Sequence, residues 1–116
     1  MTKTLKDKKL LVVDDNELNR SLITSFLKEC DMNIVNAENG KDAIEILKKE
    51  KFDIIITDIN MPEINGLELI KIIKNKLKLK TPIVIVTASD IKVENIDSLR
   101  IPIYRNDLIK MIMKNI

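Results

Sequence analysis

The chain contains no histidine, one cysteine, 2 glycines and 3 prolines. Each scarcity removes a class of chemistry. Without histidine no Ser-His-Asp triad, Cys-His pair or imidazole-ligated metal can be assembled within the chain. The lone Cys30 excludes an internal disulfide and any zinc site built from several thiolates, and its apolar helical setting reads as a packed thiol. No apolar run reaches membrane-spanning length, and the opening MTKTLKDKK lacks the apolar core of a signal peptide. The expected location is therefore cytoplasmic, without membrane insertion. Charge of one sign is not in excess either. Twenty bases against 18 acids leave +2, which points to neither nucleic acid nor a lipid surface.

What is present is a strand-helix alternation. At 116 residues, 45% hydrophobic and 33% charged, the chain is expected to be one domain (1–116) with a flexible N-terminal stretch over 1–8. KLLVV (9–13), MNIVNA (32–37), FDIIIT (52–57) and PIVIVT (82–87) have the length and continuous apolarity of buried strands. Between them, Leu18, Leu22, Ile23, Phe26, Leu27 and Cys30 follow helical spacing, with Asn16 placed as an N-cap. Ala43, Ile44, Ile46 and Leu47 mark a second helix, and Leu67, Leu69, Ile70, Ile73 and Leu77 a third, opened by Asn65-Gly66. Leu108, Ile109, Ile112 and Ile116 mark the last. Such a chain folds as an α/β, doubly wound parallel sheet. The flavodoxin-like five-stranded order 2-1-3-4-5 is expected, with its switch point between strands 1 and 3.

Ligands in such sheets bind beyond the carboxyl ends of the strands at the switch point. Strand 1 ends on Asp14 and Asp15, strand 3 on Asp58, and strand 4 on Thr87. Singly, each has a plain structural reading: Asp14 or Asp15 as a helix cap, Thr87 as a strand-terminal residue, Met61-Pro62 as a turn. Together they form a cluster. Two carboxylates about 5 Å apart repel by roughly 3 kcal/mol at an effective dielectric of 20, so either protons or a cation must reside among them. Oxygen ligands without His or Cys select magnesium or a similar hard ion. A carboxylate, a divalent cation and a hydroxyl on one rim suit phosphoryl acceptance, with Asp as the nucleophile.

LLVVDDNELNR, DINMPEINGLEL and IVIVTAS resemble, in order and spacing, the receiver domain of bacterial two-component response regulators. The first motif is especially similar to receivers attached to hybrid sensor kinases. The resemblance implies that Asp58 is the phosphoacceptor and that Asp14, Asp15 and Asp58 bind Mg2+, with Asn60 contributing its backbone carbonyl. It also implies that Thr87 is the switch hydroxyl on the phosphoryl group, with Ala88 leaving room beside it. In the family, movement of that hydroxyl is coupled to an aromatic side chain on strand 5. The implied donor is a phosphohistidine on a histidine kinase or phosphotransfer protein, in keeping with the absence of histidine here. The implied role is phosphorelay signalling rather than enzymatic turnover of an external substrate.

The likeness weakens past Ser89. Where the family has a Lys-Pro dipeptide ending strand 5, this chain has Ile101-Pro102, and Ser98 or Leu99 stands near the position of the aromatic. The stretch between Thr87 and Pro102 is short for a fourth helix, so DIKVENIDSLR is expected to supply a turn or two of helix and a short strand. Arg100 or Arg105 could replace the missing cation, although Arg100 should point away from the crevice if Ile101 points in. Two other readings remain. A pseudo-receiver would keep the fold as a phosphorylation-independent interaction module. A magnesium-dependent phosphatase is weaker, because its second acid would fall at position 60, which is Asn. No DNA-binding segment follows the last helix pattern, so direct nucleic-acid binding is not expected.

Overall fold

In the computed structural model, which describes residues 4–116, β1 (Lys9–Val13) leads through α1 (Glu17–Phe26) and a 3-10 turn (Lys28–Cys30) to β2 (Asn33–Ala37). There follow α2 (Gly40–Lys49), β3 (Ile54–Thr57), α3 (Gly66–Lys71) with a π turn (Ile72–Lys76), and β4 (Ile83–Thr87). The chain closes with β5 (Asp97–Arg100) and α4 (Arg105–Asn115). The strands pair in the order β2-β1-β3-β4-β5, all parallel, as the alternation requires. The flavodoxin-like expectation holds, and the chain changes direction between β1 and β3.

Asparagine opens three of the four helices. The side chains of Asn16, Asn39 and Asn65 accept from the backbone N–H of Asn19, Asp42 and Glu68, and Glu68 returns a bond to Asn65 N–H in a capping box. Each cap satisfies an amide that the first helical turn leaves without a partner. α1 ends sooner than its spacing suggested. The apolar positions beyond Phe26 continue as the 3-10 turn, and the chain reverses through Asp31 in the left-handed region, φ 55°.

Alternation along the strands divides the core in two. Leu11, Val13, Ile55, Ile83 and Ile85 face α2 and α3, packing with Ala43, Leu47, Leu69 and Ile73. Leu10, Val12, Ile54, Ile56, Val84 and Val86 face α1 and α4, packing with Ile23, Leu27, Leu108 and Ile112. The central strands are buried on both faces, which is why their sequences are unbroken Val, Ile and Leu. Leu5 joins the α1/α4 side at 3% exposure, and Asp7 N–H donates to Asp31 O at 2.9 Å. That packing counts against a flexible 1–8 stretch at Leu5; residues 1–3 lie outside the described residues.

One expectation is corrected. No helix forms between β4 and β5: residues 88–96 hold only bends and a turn closed by a bridge between Val93 and Ile96. Parallel neighbours ordinarily need about a dozen residues of crossover to fit a helix and its two loops. This connection is too short for both. Val93 and Ile96 themselves pack against the α2/α3-side cluster in place of a helix face. Among the described residues no helix is long and apolar enough to cross a membrane.

Candidate functional site

The backbone ladders carry four polar residues to one edge of the sheet. Asp14 N–H donates to Ala37 O at 3.1 Å and Asp58 N–H to Val13 O at 3.0 Å, so β1 and β3 stay paired up to the point where each delivers its acid. On the neighbouring side, Ile101 N–H donates to Thr87 O at 2.8 Å. One carboxylate oxygen from each of Asp14, Asp15 and Asp58 lies within 4.8 Å of the others. The three residues differ in exposure: Asp14 is buried, Asp58 half-buried and Asp15 exposed.

Asp14 is the most constrained of the three. Its Oδ1 accepts from Asn16 N–H at 2.9 Å, its Oδ2 from the Asn19 side-chain amide at 3.2 Å, and its backbone oxygen from Arg20 Nη1 at 2.6 Å. Burial pushes its carboxyl above the usual range. The Asn16 N–H opposes that shift, the Asp58 charge adds to it, the Asn19 amide opposes it, and the Asp15 charge adds to it again. Desolvation and like charge therefore act together here, and a hard divalent cation is the species that relieves both. The all-oxygen donor set of Asp14, Asp15 and Asp58 fits magnesium on that chemistry.

Asp58 is oriented by its own neighbours. Ile59 N–H donates to its Oδ1 at 2.7 Å, and the Thr57 hydroxyl donates to its backbone oxygen at 2.9 Å. Behind it, Gly66 N–H donates to Ile59 O at 2.8 Å. A Cβ on Gly66 would sit 2.1 Å from Asp58 O and 2.7 Å from Ile59 Cα, so only glycine lets α3 start this close to the acid. Thr87 is 1% exposed, and its hydroxyl oxygen accepts from Ser89 N–H at 3.3 Å. Asn60 lies exposed in the loop after β3, and its side-chain amide donates to Ser89 Oγ at 2.5 Å. Its side chain is thus engaged across the crevice.

Ile101 takes no part in this polar cluster. Like Leu99, it packs against the cluster on the α1/α4 side, where it lines a small apolar notch with Asn19, Leu22, Ile23, Val86 and Ile103. Arg105 is committed elsewhere: its Nε donates to Phe26 O at 3.1 Å, and its Nη2 lies 3.7 Å from Glu29.

Sequence reasoning brought together Asp14, Asp15, Asp58 and Thr87 and missed Asn19, Arg20 and Ser89. The first two could have been found. With Asn16 as the cap, residues five and six beyond Asp14 lie over the first turn of α1 and so beside the cap. Ser89 gave no signal, because its contact with Asn60 joins two loops far apart in the chain.

The sequence pattern of the response regulator receiver domain matches residues 10–112. Regulator of RpoS from Escherichia coli K12 is 35% identical over 101 residues, which cover 87% of this chain and 30% of that protein. Transcriptional regulatory protein CrdR of Helicobacter pylori is 37% identical over 81 residues, 70% of this chain and 38% of its own length. The chain therefore spans less than two fifths of these relatives. Among solved structures, chemotaxis response regulator CheY4 of Vibrio cholerae superposes with a TM-score of 0.86 at 27% identity, covering 96% of this chain and all of that one. A site at the switch point, a sheet in the flavodoxin-like order and a match across nearly the whole chain agree: the chain belongs to the response regulator receiver domain family.

Proposed function

We infer that this chain is a cytoplasmic phosphoacceptor in two-component or phosphorelay signalling, and not an enzyme that turns over an external substrate. The observation that carries the reading is the convergence of the Asp14, Asp15 and Asp58 carboxylates within 4.8 Å at the β1/β3 switch point. Family membership supports it. Asp14, Asp15, Asp58 and the Asn60 backbone carbonyl would hold Mg2+. When bound, the ion supplies positive charge against phosphoryl oxygens.

The protein's own steps follow from its residues. An Asp58 carboxylate oxygen forms the bond to phosphorus as the P–N bond of a partner's phosphohistidine breaks, the electron pair leaving with the imidazole. Ile59 N–H keeps the Asp58 carboxylate oriented for that attack. The Thr87 hydroxyl donates a hydrogen bond to a phosphoryl oxygen, which its acceptance of the Ser89 N–H bond leaves it free to do. The partner is a histidine kinase or phosphotransfer protein, and the added charge biases the surface around β4 and β5.

The pseudo-receiver reading rests on Ile101 and on the helix-free 88–96 segment. The intact acidic cluster and Thr87 weigh against it. Intact-mass measurement after incubation with acetyl phosphate and magnesium tests the two. A gain of one phosphoryl group, absent in Asp58→Asn and lost with chelator, is the expected result. An unchanged mass overturns the phosphoacceptor reading in favour of the interaction module.

A further inference from the structure

We propose that Arg100 supplies the cation that faces the phosphoryl group, acting from the Thr87 side of the crevice. The inference deepens the phosphoacceptor reading above and rests on it. A phosphoryl dianion on Asp58 would stand beside the two remaining carboxylates of the cluster, Asp14 and Asp15, which lie within 4.8 Å of the Asp58 carboxylate. Charge-assisted bonds to such a group from a guanidinium are strong and geometrically matched.

The chain has three arginines, and two are committed. Arg20 is bonded to the Asp14 backbone oxygen, and Arg105 ties α4 to the end of α1 and to Glu29. Arg100 is exposed, and its side chain makes no hydrogen bond or ion pair among the described residues. It pairs in register with Thr87 across β4 and β5. Paired residues in a parallel sheet stand about 4.8 Å apart with side chains on the same face. Arg100 therefore rises beside Thr87, at the last step of the ladder before the crevice.

The alternation that turns Arg100 away from Ile101 turns it toward Thr87. Ile101 and Leu99 occupy the α1/α4 side, where the apolar notch around Ile23 and Val86 would strand a cation. On the opposite face Val93 and Ile96 pack in place of a helix, and Arg100 itself stays exposed. A long flexible cation placed there can reach over the strand ends. The helix-free 88–96 segment and the apolar residue at position 101 together leave Arg100 as the cation that β5 presents on the Thr87 face.

In the test reaction, an Asp58 oxygen bonds to the phosphorus of acetyl phosphate as its P–O bond to the acetyl group breaks, and acetate leaves with the electron pair. Wild type, Arg100→Ala, Arg100→Lys, Arg100→Ala combined with Ile101→Lys, and Asp58→Asn are compared by intact mass. Beryllofluoride affinity and magnesium affinity are measured alongside. Arg100→Ala is expected to slow phosphorylation and weaken beryllofluoride binding by roughly tenfold or more. Magnesium affinity alone should not change, which a merely structural role would not reproduce. Arg100→Lys should recover part of the loss. Wild-type rates and beryllofluoride affinity in Arg100→Ala, with Asp58→Asn inert, overturn this proposal and leave the phosphoacceptor reading standing. An inert wild type overturns both.

Discussion

At the scale of single residues, the site is held by close approaches that leave little freedom. Gly66 admits no side chain, since its Cβ would meet backbone at 2.1 and 2.7 Å and backbone cannot rotate aside. Gly66→Ala should cost about 1–3 kcal/mol or more, read as a lower urea midpoint at unchanged slope. Gly40→Ala is the milder comparison, because its nearest contacts, Ile64 Cβ and Cγ2 at 2.9 Å and Ile64 O at 3.2 Å, are less close than the backbone around Gly66, although Ile64 must still give way. Asn19 makes a different contribution. Its amide holds Asp14 Oδ2 at 3.2 Å, and partners of this kind are worth about 10–100-fold in metal affinity. Asn19→Ala should therefore weaken magnesium binding in titration calorimetry, with little change in thermal stability. Unchanged affinity would mean that Asn16 N–H alone suffices to orient Asp14.

At the scale of elements, caps and cross-ties decide how firmly each piece is placed. Asn65 and Glu68 cap α3 reciprocally, directly behind Asp58. Asn65→Ala should lower stability by about 1 kcal/mol in denaturant titration. β5 is tied to α4 through Asp97, whose Oδ2 accepts from the Asn115 amide at 3.1 Å and lies 3.2 Å from Lys114 Nζ. The Asn115 bond first, and Lys114 second, hold the Asp97 carboxyl below its ordinary 3.8. A depressed carboxyl stabilises the fold above its unfolded value and loses that contribution as pH falls through the folded one. Asp97→Asn should thus lower the urea midpoint at neutral pH, and the gap from wild type should close well below pH 3.8. A gap that persists in acid would show that Asp97 acts by packing and not by charge.

At the scale of the whole molecule, the sheet is asymmetric. β1, β3 and β4 are sandwiched on both faces, whereas β5 is a half-buried edge strand whose outer face lacks a helix. Opening free energies should differ accordingly. Amide exchange should be slowest in β1, β3 and β4 and markedly faster in β5 and residues 88–96. Equal protection across all five strands would refute this ordering. On the proposed phosphoacceptor reading, the surface beside Thr87 that would respond to charge at Asp58 comprises β5 and the helix-free 88–96 segment.

Much of this was legible in the chain itself. Unbroken Val and Ile runs require burial on both faces, and alternation with helical spacing requires crossovers, so the parallel sheet and its order follow from local pattern and handedness. The acids at the ends of strands 1 and 3 and the hydroxyl ending strand 4 meet because that order makes those strand ends neighbours. The rest depended on tertiary structure. Whether DIKVENIDSLR would hold a helical turn was settled by how few residues carry the chain back from the end of β4 to the start of the parallel β5, which periodicity does not encode. The Asn60–Ser89 bond arises from two loops far apart in the chain meeting in space. The face on which Arg100 stands depends on the β4–β5 register, and a shift of one residue would have exchanged it with Ile101.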